Sequence, residues 1–151
     1  MNIKNKSGQT LIETLLVFLV LMILIFYSFF FGLFWCIQSM VNLSAFQTCR
    51  QIAVYDESMG VNSIYNVAEQ AIIPVERYLK KMDKSWVEIK VFRQDGTAIP
   101  IEMIADKDNG ILYGQLFTVK VSVKLGISGG QLLPFSLSYI GSNCSMIMER
   151  V

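Results

Sequence analysis

"KNKSGQTLIETLLVFLVLMILIFYSFFFGLFWC", residues 4–36, decides the fold of this chain, because one charge in it stands where charge is expensive. Lys4 and Lys6 precede Gly8, and Glu13 then heads a run in which the next charged residue is Arg50. A carboxylate at the centre of a membrane-spanning helix costs on the order of 2.5–3.5 kcal/mol on insertion scales, so Glu13 calls for a compensating partner. From Leu15 to Ile37 there are 23 residues without a charge, and about 20 suffice to cross the hydrocarbon core. The stretch predicts a transmembrane helix over about 15–37.

The flanks orient that helix. Two lysines lie before it, whereas Gln38 to Cys49 behind it holds no Lys or Arg, so the positive-inside rule predicts a cytoplasmic N-terminus and an exported remainder. A secretory signal has an apolar core of about 7–15 residues followed by a small-residue cleavage site. This run is longer, and its helical rhythm continues through Ile37, Val41, Leu43, Phe46 and Ile52. A single helix reaching about Val54 is expected, roughly 45 residues or about 68 Å long, half of it beyond the membrane. Gly32 marks close helix contact or mild flexibility, and Tyr27 and Trp35 suit interfacial anchors or lipid-facing bulk.

Composition narrows what the rest can do. Hydrophobic residues make up 53% of 151 and mean hydropathy is +0.46, an excess concentrated in the first third, which leaves about 100 residues for one small domain. Net charge is +1, so no basic surface for nucleic acid is expected. Histidine is absent, which removes the commonest general base and metal ligand. No serine lies in a nucleophile-elbow pattern. A structural, non-enzymatic protein without metal or cofactor is the expectation, against a membrane-tethered hydrolase. The acidic groups "DESMG", 56–60, and "DKDNG", 106–110, lack the ligand alternation of a calcium loop and read as solvated turns.

Three cysteines occur, without metal-site spacing. Cys36 reads as a buried thiol at the end of the apolar run. Cys49 and Cys144 fall outside the span, where an oxidising compartment would allow them to pair. Free thiols and a disulfide both stay open, since spacing alone does not bring two Cα atoms within the required ~4.4–6.8 Å.

Beyond the long helix, Ile64, Val67, Ala68, Ala71 and Ile72 recur at helical spacing, and Pro74 suits a first-turn position or a kink before a helical segment over 75–81. Lys80 and Lys81 would then face the negative pole of that helix. "SWVEIKVFR" alternates as a half-buried strand, Asp95-Gly96 supplies a hairpin turn into "AIPIEMIA", and Leu116 to Leu125 alternates again. A turn at Ser128-Gly129-Gly130 and a last strand from about Ser142 to Val151 complete the expected antiparallel sheet. The fold class is α+β: a long N-terminal transmembrane helix extending into a small domain with one or two short helices and a sheet.

A short basic leader ending in glycine, one further residue, then T-L-I-E (Thr10, Leu11, Ile12, Glu13) and a long apolar helix resembles the class III signal of type IV pilins and pseudopilins. The ending "NCSMIMERV" is similar to that of TadE-like pseudopilins, the minor pilins of tight-adherence pili. The resemblance implies a leader over 1–8, cleavage by a prepilin peptidase between Gly8 and Gln9, a helix over 9–54 and an exported pilin-like α+β domain over 55–151. It implies a subunit of a type IV, Tad-like pilus or secretion filament, in the cytoplasmic membrane and, once assembled, outside the cell. Its partners would be other pilin subunits, the peptidase, the platform protein of the assembly machine and the lipid bilayer. Gln9 stands where the family usually has Phe or Met, and Thr14 where tight-adherence pilins commonly have an aromatic residue.

Physical chemistry gives Glu13 a task in that setting. Cleavage frees an α-amino group at Gln9, at a helix end that already carries about +0.5 charge. That amine and the carboxylate of Glu13 on a neighbouring subunit would neutralise one another in lipid and fix axial register, with Thr10, Leu11 and Ile12 completing the contact. The competing expectation is an uncleaved single-pass protein whose exported domain binds a ligand or another envelope protein.

Overall fold

The structure, a computed structural model, describes residues 3–54, 60–82, 85–104, 110–126 and 139–149, with the backbone alone for 3–7. It divides into two compact units, Met1–Cys36 and Ile37–Val151. Helix α1 spans Ile3–Ala53, close to the expected end at Val54.

In the first unit none of the described side chains of α1 is buried. Leu11 is 65% and Phe29 69% exposed, and the intervening large apolar residues with recorded values keep about half or more of their surface. The helix is long and apolar enough to cross a membrane. Its aromatic side chains meet each other instead of a core: Phe26 and Phe30 centroids lie 5.1 Å apart, Phe31 and Trp35 6.3 Å.

The second unit has a core, and the last part of α1 supplies one wall. Ile37, Val41, Ala45, Cys49 and Ile52 recur every three or four residues and are buried, as are Ser44 and Thr48. Leu43 and Phe46, expected on that face, are 44% and 49% exposed. They sit about a quarter-turn or more away from the stripe, which is built from smaller residues that let neighbouring elements approach. Cys36, expected to be buried, is exposed; it belongs to the first unit, where α1 buries no face among the described residues.

Helix α2, Val61–Ile72, buries Ile64, Ala68, Ala71 and Ile72. The segment after it departs from expectation. A 3-10 helix covers Ile73–Tyr78 with Pro74 in its first turn, since proline has no N–H to continue the α pattern. Leu79–Lys80 is then a short strand, β1. Lys80 therefore lies in a sheet and does not face a helix dipole.

The antiparallel sheet is built on β4, Leu116–Leu125, whose bounds match the alternation in the sequence. On one side it pairs with β2, Val87–Arg93, from Val87 opposite Val123 to Arg93 opposite Phe117. It also pairs with β5, Tyr139–Ile147, from Leu116 opposite Ile147 to Lys124 opposite Tyr139. β1 adds Leu79 opposite Leu125. The Asp95-Gly96 turn forms as expected: Gly96 has φ 83°, and Arg93 N–H donates to the Thr97 carbonyl at 2.9 Å. The returning strand β3 holds only Ala98–Ile99, because Pro100 cannot donate to the ladder and leads into a 3-10 turn, Ile101–Met103.

The inward sheet face, Val87, Ile89, Val91, Phe117, Val119, Val121, Val123 and Ile140, is buried. β5 starts three residues earlier and ends four earlier than expected. Among the described residues it pairs only with β4, so its inward positions Ser142, Cys144 and Met146 are half-buried and tolerate the polar composition that blurs its alternation. The Ser128-Gly129-Gly130 turn, the acidic residues of both expected acidic turns, and the chain's last two residues lie outside the described residues.

Candidate functional site

The residues singled out around the N-terminus all lie on α1. Gly8 is exposed, and a Cβ added there would meet nothing within 4 Å. Its peptide bond to Gln9 is inside the helix. Gln9 reaches one turn forward, its Nε2 donating to Oε1 of Glu13 at 3.3 Å, the ordinary i,i+4 geometry of a helix surface. Thr14, the residue that departs from the aromatic pattern, returns its hydroxyl to the Thr10 carbonyl at 2.8 Å. Glu13 is exposed, and Leu11 and Ile12 beside it are 65% and 67% exposed. The site is thus a helix surface carrying one carboxylate, one amide attached to it, and an apolar ridge.

Sequence reading missed a polar seam in the second unit. The Ser44 hydroxyl donates to the Ala68 carbonyl at 2.8 Å, tying α1 to α2, and the Thr48 hydroxyl donates to the Ser44 carbonyl at 2.7 Å. Glu149 N–H donates to the Ala53 carbonyl at 2.9 Å, and Gln38 Nε2 reaches the Gly141 carbonyl at 3.4 Å. Both contacts fasten α1 to the β5 segment. The only signal in the sequence is that Ser44 and Thr48 fall four apart, in phase with Val41 and Ile52.

The structure brings Cys49 and Cys144 together as free thiols. Cys49 Sγ donates to the Cys144 carbonyl oxygen at 3.5 Å. Burial pushes the Cys49 thiol well above the ordinary thiol range, and the neighbouring Cys144 side chain adds to the effect. Cys36 belongs to the other unit.

The outward sheet face is polar. Lys90 lies 2.9 Å from Glu88 and holds its carboxyl below the usual range, assisted by the Ser122 hydroxyl, which donates to it at 3.3 Å. Lys124 stacks over Tyr139 at 5.6 Å. Among the described residues no group of three or more Cys, Asp or Glu gathers as metal ligands. No protein-family model, curated protein or solved structure matches the chain.

Proposed function

We propose that this chain is a minor pilin or pseudopilin, a structural subunit that a prepilin peptidase cuts between Gly8 and Gln9 and that assembles through its N-terminal helix into a type IV, Tad-like filament. The observation that carries this reading is the single carboxylate of Glu13, five residues after Gly8, on a helix whose large apolar side chains between Leu11 and Phe29 are exposed. Such a surface is unstable in water and needs lipid or other helices around it.

In this reading the membrane holds the helix over about 15–37, with the N-terminus in the cytoplasm and the second unit exported. Cleavage removes Lys4 and Lys6 and leaves an amine at Gln9. Gln9 engages Oε1 of Glu13 within the chain, and the amine of a neighbouring subunit would join the same carboxylate during assembly. Two charges that are each costly in lipid then offset one another. The platform protein and the other filament subunits are the partners, and the second unit is the exported part of the subunit.

A second reading draws on the Gly8–Gln9 bond lying inside α1, as it would in an anchor that is never cut. One measurement separates them: the N-terminus and intact mass of protein extracted from its native membrane. A chain beginning at Gln9 is the expected result. An intact leader in the mature protein would overturn the pilin reading in favour of an anchored binding module. A Gly8→Ala chain is expected to accumulate in the longer form and to be absent from filaments.

A further inference from the structure

The contact between α1 and β5 carries chemistry that neither the helix surface nor the assembly reading uses. Cys49 is fully buried on the inward stripe of α1. Cys144 stands opposite Val119 in the β5–β4 ladder, half-buried. The sulfur of the first lies 3.5 Å from the carbonyl oxygen of the second, across 95 positions of sequence. One cysteine comes from each of the two segments that Gln38–Gly141 and Ala53–Glu149 already hold together, which keeps the two side chains adjacent.

We propose that Cys49 and Cys144 are oxidised to a disulfide in the mature protein, a covalent tie between the membrane-anchored helix and the last strand of the sheet. The two thiols lose two protons and two electrons, and the acceptor is a protein or small-molecule disulfide that is reduced to two thiols. The Cys144 thiolate attacks the acceptor's S–S bond and releases one thiol. The Cys49 thiolate then attacks the Cys144 sulfur of the mixed disulfide, releasing the second.

Burial sets the order of events. Half-buried Cys144 is the accessible partner, whereas Cys49 ionises poorly once packed. The second attack therefore belongs to the stage before α1 and β5 close. After closure the Cys49 sulfur is buried, so a reductant could reach the bond only through the half-buried Cys144 sulfur. The disulfide would enclose α2 and strands β1 to β4 in one loop, so that β5 cannot peel from the helix without breaking a covalent bond. That the pair meets an oxidant rests on the export proposed above.

The test is thiol counting by intact mass on the full chain, extracted from native membranes and alkylated with iodoacetamide in denaturant, with and without prior reduction. One added group without reductant, three after it, and a Cys49–Cys144 linked peptide on digestion are expected. Cys49→Ala and Cys144→Ala chains should each take two groups without reductant, but the wild-type count decides if either fails to accumulate. Three groups on unreduced wild-type protein, or a linkage that uses Cys36 and leaves Cys49 and Cys144 alkylated, would overturn the disulfide. The same spectrum reads the N-terminus: three groups on a chain beginning at Gln9 sink the disulfide alone, and three on a chain beginning at Met1 sink it together with the processing reading. One group on a chain beginning at Met1 upholds the bond and rejects cleavage.

Discussion

Glu13 shares one carboxylate oxygen with the amide of Gln9, and that arrangement sets what substitution there should do. Replacing Glu13 with Val removes a cost on the order of 2.5–3.5 kcal/mol from insertion, so Glu13→Val is expected to enter the membrane and be cut after Gly8, yet to be missing from purified filaments. Recovery in filaments at wild-type levels would remove the charge pair from the mechanism. Ser44 makes a different kind of contact, a buried hydroxyl bonded to the Ala68 carbonyl. Ser44→Ala should lower unfolding stability by about 1 kcal/mol, measured by denaturant titration in detergent. Asp95 caps its own hairpin: the Thr97 N–H donates to its carboxylate at 2.9 Å and holds its pKa below the usual range. A depressed folded-state pKa gives stability above the ordinary Asp value of ~3.9 and loses it as pH falls through the lower folded value. The stability gap between wild type and Asp95→Ala should accordingly be present at neutral pH and close on the acid side.

The elements show where periodicity is a sufficient guide. β4 lies between β2 and β5, and every second residue from Phe117 to Val123 is buried, so its alternation is clean and its bounds could be read directly. Phe117→Ala, at the second residue of β4 and fully buried, should cost about 3–5 kcal/mol, seen as a large fall in the denaturation midpoint. β5 is less legible because its inward Ser142, Cys144 and Met146 are only half-buried and its outer edge has no strand partner among the described residues. The segment over 73–80 misled because Leu79 and Lys80 suit a helix by spacing, while Pro74 tightens the turn and β4 offers Leu79 a partner. Close approach there also explains Gly126: a Cβ would lie 2.6 Å from the Leu79 carbonyl oxygen. Backbone cannot yield as a side-chain tip can, so Gly126→Ala should destabilise the second unit by about 1–3 kcal/mol, with amide exchange rising first at Leu79 and Lys80.

At the scale of the whole molecule, two kinds of surface divide the chain at Cys36 and Ile37. The first unit keeps its large apolar residues exposed and the second buries an apolar core, so the full chain should stay in the membrane fraction through alkaline carbonate washing and precipitate when detergent is removed. Release by carbonate would mean that the helix is covered by protein and not by lipid. The sequence by itself determined the long helix, its unbroken apolar surface, the position of Glu13 and the β2 and β4 strands, because each depends on local periodicity or on the cost of charge in lipid. Only the tertiary structure decided which stripe of α1 turns inward, that Leu43 and Phe46 stay out while Ser44 and Thr48 go in, and that Cys49 meets Cys144. Those outcomes depend on which surfaces close against one another across long separations, and on small residues winning a helix face where backbones approach, neither of which leaves a period in the sequence.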